Sequence, residues 1–142
     1  MEYRVCRNNP APYNDLNGKI SLLGLGTMRL PLRDAADQTS IDEEKAQEIF
    51  DYAYAHGVNY FDTAYPYHGG MSEKFCGKAL TKYPRASYHL ASKLPGWLLK
   101  CDEDVPRIFN EQLANCRTDY FDFYLAHSVH ESSWSNYVKY HA

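Results

Sequence analysis

The chain has 142 residues, 44% hydrophobic and 23% charged, with a formal net charge of -3 at pH 7. That is one ordinary domain with a real core, and the weakly acidic balance excludes a basic nucleic-acid surface, while no apolar run approaches the length of a membrane span and the polar start carries no signal peptide. The four cysteines, Cys6, Cys76, Cys101 and Cys116, are widely spaced without a C-x-x-C pair, which predicts reduced thiols, a cytoplasmic compartment and no metal site.

In chain order, Glu2–Cys6 reads as an extra hairpin strand, with "NNPAPYNDLNG" as its connection. The run Ile20–Leu25 is apolar and unbroken, as suits a strand covered on both faces. Gly24 and Gly26 weaken it and predict that something approaches the backbone there. "TSIDEEKAQEIFDYAYAHG" is the clearest helix. Ser40 and Glu43 have capping-box spacing, Ala46, Ile49, Phe50, Ala53 and Tyr54 form one face, and Gly57 is placed to end it. A strand follows in "VNYFDTA", then a helix near residues 72–82 with Phe75, Ala79 and Leu80 inside. Next come a strand in "SYHLASKLP", stopped by Pro95, and a helix in "DVPRIFNEQLANCRT", where Pro106 is tolerable in the first turn and Val105, Ile108, Phe109, Leu113 and Cys116 point inward. "DYFDFYLAHS" is the last strand, and "ESSWSNYVKYHA" begins another helix. Strict βα alternation with apolar strands predicts a parallel sheet covered by helices, either doubly wound and open or part of a (β/α) barrel.

In both architectures ligands bind at the carboxyl ends of the strands. Three successive strands here end in an ionisable residue: Asp62, then Lys93 in "LASKLP", then His127 in "YLAHS". Tyr67 sits in the loop after the first of them. Each residue alone has an ordinary explanation, as a turn acid, a solvated lysine, a packing phenol or a satisfied histidine. Their coincidence at one rim carries the functional reading. Buried charges require partners, so Asp62 is expected to pair with Lys93. A cation close to a phenol favours its ionised form, which makes Tyr67 a usable acid toward a carbonyl oxygen that His127 can orient.

The segments "GLGTMRLP", "FDTAYPYHGGMSEKFCGKAL", "LASKLP" and "YFDFYLAHS" resemble the aldo-keto reductases over about Ile20–His127. The resemblance implies a TIM-type (β/α)₈ barrel, of which residues 1–142 supply an N-terminal portion of about four βα units, since such barrels take roughly 250 residues. It implies NAD(P)H-dependent reduction of an aldehyde or ketone, with Asp62, Tyr67, Lys93 and His127 as the catalytic tetrad. Gly26, Thr27, Met28 and Asp62 would lie near the nicotinamide. It favours NADP(H) over NAD(H) and a small-molecule carbonyl substrate, with no nucleic-acid or membrane partner. A narrower resemblance is to members with a C-terminal ferredoxin-like segment, and an iron–sulfur cluster enters only if such a segment exists. A half barrel leaves open edges and an apolar face, so self-association is expected if it is the whole product. The alternative is a non-catalytic binding or regulatory relative.

Three weaker signals remain. His127, His130 and Glu131 could together approach a metal. The glycines of "YHGGMSE" precede a helix and could greet an anion. Trp97 could wall a substrate pocket or simply pack.

Overall fold

The βα alternation is realised as a four-stranded parallel sheet with helices packed on one face. The computed structural model describes residues 1–5 and 19–140. Strand β1 (Tyr3–Val5) pairs antiparallel with β2 (Lys19–Ser21), so the hairpin expected near the start is present, although Cys6 and the connecting "NNPAPYNDLNG" lie outside the described residues. The main elements are β3 (Leu25–Gly26), α1 (Glu43–Ala55), β4 (Tyr60–Asp62), α2 (Met71–Leu80), β5 (His89–Leu94), α3 (Asp104–Cys116), β6 (Phe123–Ala126) and α4 (Glu131–Lys139). The sheet order is β3-β4-β5-β6, all neighbours parallel.

The single strand expected over Ile20–Leu25 is in fact two pieces. Ser21 turns to exchange hydrogen bonds with Asn59, whose Oδ1 accepts from the Ser21 amide at 2.8 Å, and Leu22 and Leu23 are exposed at the bend. Apolar sequence misled there because those leucines face away from the described core. The close approach expected at Gly24 is real: a Cβ at that position would lie 2.9 Å from the Tyr60 ring. At Gly26 a Cβ would meet nothing within 4 Å.

Helix α1 starts later than the Ser40–Glu43 box predicts. Asp42 is the N-cap, its Oδ1 accepting from the Lys45 amide at 3.3 Å. Ser40 donates instead to the Asp34 and Asp37 carbonyls, because buried Ile41 bridges to Leu32 and holds the preceding chain extended. Ala46 and Phe50 form the buried edge, whereas Ile49 is 40% exposed. Gly57, at φ +86°, turns the chain out of the helix toward β4.

Register separates the two faces of the sheet. Phe61, Leu90, Ser92, Leu94, Tyr124 and Ala126 share one face, and Tyr60, Asp62, His89, Ala91, Lys93, Phe123 and Leu125 share the other. The first face meets the helices. Phe50 stacks on Phe61 at 5.3 Å and meets Phe75 edge-on at 5.5 Å, with Leu80, Leu90 and Cys116 completing the cluster. Burial of each such side chain contributes about 1.5–3 kcal/mol. Helices α2 and α3 touch through Gly77, where a Cβ would fall 2.5 Å from the Cys116 backbone. A second cluster of Leu94, Leu99, Ile108 and Tyr137 seats α4. On the other face Tyr60, His89 and Phe123 make ring contacts, and Leu125 is 40% exposed.

Candidate active site

Because parallel neighbours point their side chains to the same side, the register itself carries Asp62 and Lys93 to one face at the carboxyl ends of β4 and β5. His127 extends that alternation beyond β6, where its amide bonds the Leu94 carbonyl at 3.0 Å. Lys93 Nζ donates to Asp62 Oδ1 at 2.6 Å and to the Thr63 carbonyl at 2.8 Å, and only 12% of its side chain reaches solvent. The chain leaves β4 through a turn at Tyr67–Gly70, which folds Tyr67 back over this pair. The ammonium lies 4.8 Å from the Tyr67 ring centroid. The Tyr67 and His127 rings meet edge-on at 5.6 Å. The structure thus brings all four sequence-predicted side chains to one mouth.

His127 Nδ1 is buried and has no hydrogen-bond partner among the described residues. Burial, and then the Lys93 charge, push the imidazole below its ordinary value, and Asp62 opposes them only in part. A neutral ring is therefore favoured. The mouth opens into a cavity of about 500 Å³ lined by Met28, Gln38, Tyr67, His68, Trp97 and His127, among others. The Trp97 ring is 5.1 Å from that of His127, so the loop after β5 does wall this cavity. A similar cavity of about 520 Å³ lies between α3 and α4 and is lined mainly by apolar side chains, with the Tyr124 and Tyr137 phenols at its wall. Its lining includes none of Asp62, Tyr67, Lys93 and His127, whereas Tyr67 and His127 both line the first cavity.

The three lip residues at the end of β3 divide. Gly26 sits beside Asp62 in register with open space on its Cα, and Met28 is 58% exposed at the cavity. Thr27 is fully buried. Its hydroxyl donates to the Asp62 carbonyl at 2.9 Å and accepts from Ser72 at 2.7 Å, so its side chain supports the site from behind.

Several participants were not found by sequence reasoning. His68 is buried and holds the loop after β3 in place: its Nε2 accepts from the Leu30 amide at 3.1 Å, and its Nδ1 meets the Gln38 carbonyl at 2.9 Å. Its position directly after Tyr67 was the available signal. Ser72 and Glu73, both fully buried at the start of α2, read in sequence as ordinary first-turn polar residues. His130 is the N-cap of α4, its Nδ1 2.9 Å from Ser132 Oγ, and among the described residues no group of three or more metal-ligating side chains is assembled. No described helix is long and apolar enough to cross a membrane.

Residues 22–136 match the family model described as "Aldo/keto reductase family". Curated relatives include L-galactose dehydrogenase of Arabidopsis thaliana, 32% identical and covering 84% of this chain but 38% of that protein. A probable aldo-keto reductase of Glycine max is 29% identical, covering 80% and 34%. Among solved structures, a thermostable aldo-keto reductase in complex with epalrestat superposes with a TM-score of 0.69 at 26% identity, covering 98% of this chain and 50% of its own. A Klebsiella pneumoniae aldo/keto reductase in complex with NADP and acetate gives 0.60 at 27% identity, covering 77% and 36%. The chain therefore spans a little over a third of the length of these curated relatives.

Proposed function

Since the chain belongs to the aldo/keto reductase family, we propose that Asp62, Tyr67, Lys93 and His127 form the catalytic site of an NAD(P)H-dependent reductase of aldehydes or ketones. The observation that carries the reading is the hydrogen-bonded Asp62–Lys93 pair lying beneath the Tyr67 ring, with the His127 ring alongside. The residues present fit the nicotinamide end of the cofactor. Gly26 leaves room beside the carboxyl end of β3, Met28 is an exposed lip, and Asp62 lies next to both. A bound nicotinamide would supply a hydride to the carbonyl carbon. The relative crystallised with NADP favours the phosphorylated form of the cofactor.

The protein's own groups do the rest. The Tyr67 hydroxyl donates its proton to the carbonyl oxygen as negative charge develops there. The Lys93 ammonium stabilises the charge left on the phenol, and Asp62 holds that ammonium in place and neutralises its burial. A neutral His127 donates to the same carbonyl oxygen and fixes its direction. Trp97 and Met28 bound the cavity and limit the water that reaches it.

We read the four strands as half of an eight-stranded (β/α)₈ barrel. The face carrying Tyr60, Phe123 and Leu125 would be covered by further strands, either of the same polypeptide or of a second copy. Sedimentation would show a dimer for this chain in the second case.

The deciding experiment follows NADPH oxidation with an aromatic aldehyde, and thermal stability with and without NADPH. Tyr67→Phe should lose about 10²–10⁴-fold in turnover and keep the thermal stabilisation by cofactor. Turnover equal to the parent would overturn the tetrad. Cofactor-dependent stabilisation of the parent without turnover would favour a non-catalytic binding relative.

A further inference from the structure

The Asp62–Lys93 pair is held from behind by two adjacent residues that take no part in the chemistry proposed above. Ser72 and Glu73 are consecutive, sit in the first turn of α2 and are fully buried. Proton counting fixes the order of the hydroxyl chain around Ser72. Thr27 donates to the Asp62 carbonyl at 2.9 Å and Ser72 donates to Thr27 at 2.7 Å. The remaining bond, 3.0 Å between Thr63 Oγ1 and Ser72 Oγ, must then be donated by Thr63. Ser72 thus grips Asp62 through Thr27, and it also grips Thr63, whose carbonyl accepts from the Lys93 ammonium.

Glu73 works on the other strand. Its Oε1 accepts from Ser92 at 2.7 Å and from Gln112 at 2.6 Å, and its Oε2 accepts from Asn115 at 3.3 Å. The Gln112 amide nitrogen also reaches Ser92 Oγ at 2.9 Å and the Lys93 carbonyl at 3.1 Å, while Gln112 Oε1 accepts from Tyr124 at 2.6 Å. Ser92 lies on the face of β5 opposite Lys93. Burial pushes the Glu73 carboxyl up, against the pull of its three donors. Glu73 has no cation partner among the described residues, and a buried acid without one is a costly way to fill space.

We propose that Ser72 and Glu73 are positioning residues that together set the Asp62–Lys93 pair, Ser72 through the backbone of Asp62 and Thr63, and Glu73 through the backbone of Lys93. The catalytic consequence rests on the function proposed above, but the positioning itself does not. One turn of one helix thereby aligns the ends of two strands, and displacing either residue loosens the ammonium from its carboxylate.

The test reads the ammonium directly. The full chain is treated with limiting acetic anhydride, and acetylation rates of individual lysines are measured by peptide mass spectrometry. Asp62→Asn serves as the reference for a released Lys93. Ser72→Ala and Glu73→Gln should each raise Lys93 acetylation about fivefold, the ratio expected from losing one net hydrogen bond, with Lys74, Lys78 and Lys82 unchanged as exposed internal standards. Should Glu73→Gln lose cooperative melting, Ser92→Ala replaces it, with the same rise expected. A parental Lys93 rate in the folded variants, or a rise shared equally by all four lysines, would overturn the proposal. A parent that binds no nicotinamide would instead remove the reductase reading and leave the acetylation result standing.

Discussion

The two ends of the sheet each hold an acid paired with a cation, and the pairs are built for different ends. At the amino end, the side chain of Asp122 just before β6 is wholly buried. It accepts from Arg85 at 2.6 Å and from the Leu90 amide at 2.8 Å through one oxygen, and its other oxygen lies 3.5 Å from His89. Arg85 also bonds the Tyr88 and Tyr120 carbonyls and lies over the Tyr120 ring at 3.9 Å. This is a latch that ties the starts of β5 and β6. At the carboxyl end, 26% of the Asp62 side chain is exposed, the ammonium faces an aromatic ring, and the neighbouring His127 imidazole lines an open cavity. Both ends leave buried polar atoms without a hydrogen-bond partner among the described residues, Asp122 Oδ1 and His89 Nδ1 at one and His127 Nδ1 at the other, so what sets the carboxyl-end pair apart is the aromatic ring over its ammonium and the cavity beside it.

The sharpest way to break this contrast is to remove the two cations in turn. Lys93→Met should lower NADPH-dependent turnover by about 10²–10⁴-fold. It should change unfolding free energy by no more than about 1 kcal/mol, since Asp62 remains partly in water. Turnover within a few-fold of the parent would show that the carboxyl-end pair is also only structural.

Removing the buried acid should do the opposite. Asp122→Ala leaves the Leu90 amide and the Arg85 guanidinium without their acceptor, and should cost about 3 kcal/mol in chemical denaturation. Arg85 keeps its two carbonyl partners, so the expected loss lies at the lower end of that range. A folded variant should retain the parental rate per molecule. A variant as stable as the parent would show that the latch contributes nothing.

How far the sequence foretold this contrast differs between the ends. Asp62, Lys93 and His127 were legible because strand alternation and strand ends are local properties: three apolar runs each closed on an ionisable residue. The inner stripe of α2 was legible for the same reason, since Phe75, Ala79 and Leu80 follow helical spacing and are all buried. What escaped depends on partners distant in sequence. Asp122 reads as one more acid in "DYFDF" until Arg85 arrives from 37 residues away. Glu73 reads as a favourable first-turn acid until Ser92 and Gln112 enclose it. Ser40 had the right spacing for a cap and lost the role to Asp42, because the bridge between Leu32 and Ile41 fixed the chain before the helix began. Leu22 and Leu23 continued an apolar run, yet Ser21 was already committed to Asn59 and the strand broke there.

The smallest expected effect separates the two ends by pH. His127 has an ordinary value of 6.5 that burial and Lys93 lower in the folded state. Between the lowered value and 6.5 the unfolded chain binds more protons, so stability falls as pH drops through that window and levels off below it. For Asp122, burial raises the carboxyl, but the approach of His89, hydrogen bonds from the Leu90 amide and Arg85, and the Arg85 charge outweigh it and the net shift is downward from 3.8. Its contribution is therefore complete above 3.8 and lost as pH falls through the lower folded value. Glu73 has the reverse sign, since its raised carboxyl erodes stability as pH climbs from 4.5. Subtracting each variant from the parent isolates one group. The difference between parent and His127→Gln should change just below 6.5 and be flat at more acid pH. The difference between parent and Asp122→Asn should change only below 3.8. If the His127 difference is flat across its window, the imidazole is not held neutral at the mouth, and its place as a neutral donor to a carbonyl oxygen is lost even with Tyr67 and Lys93 intact.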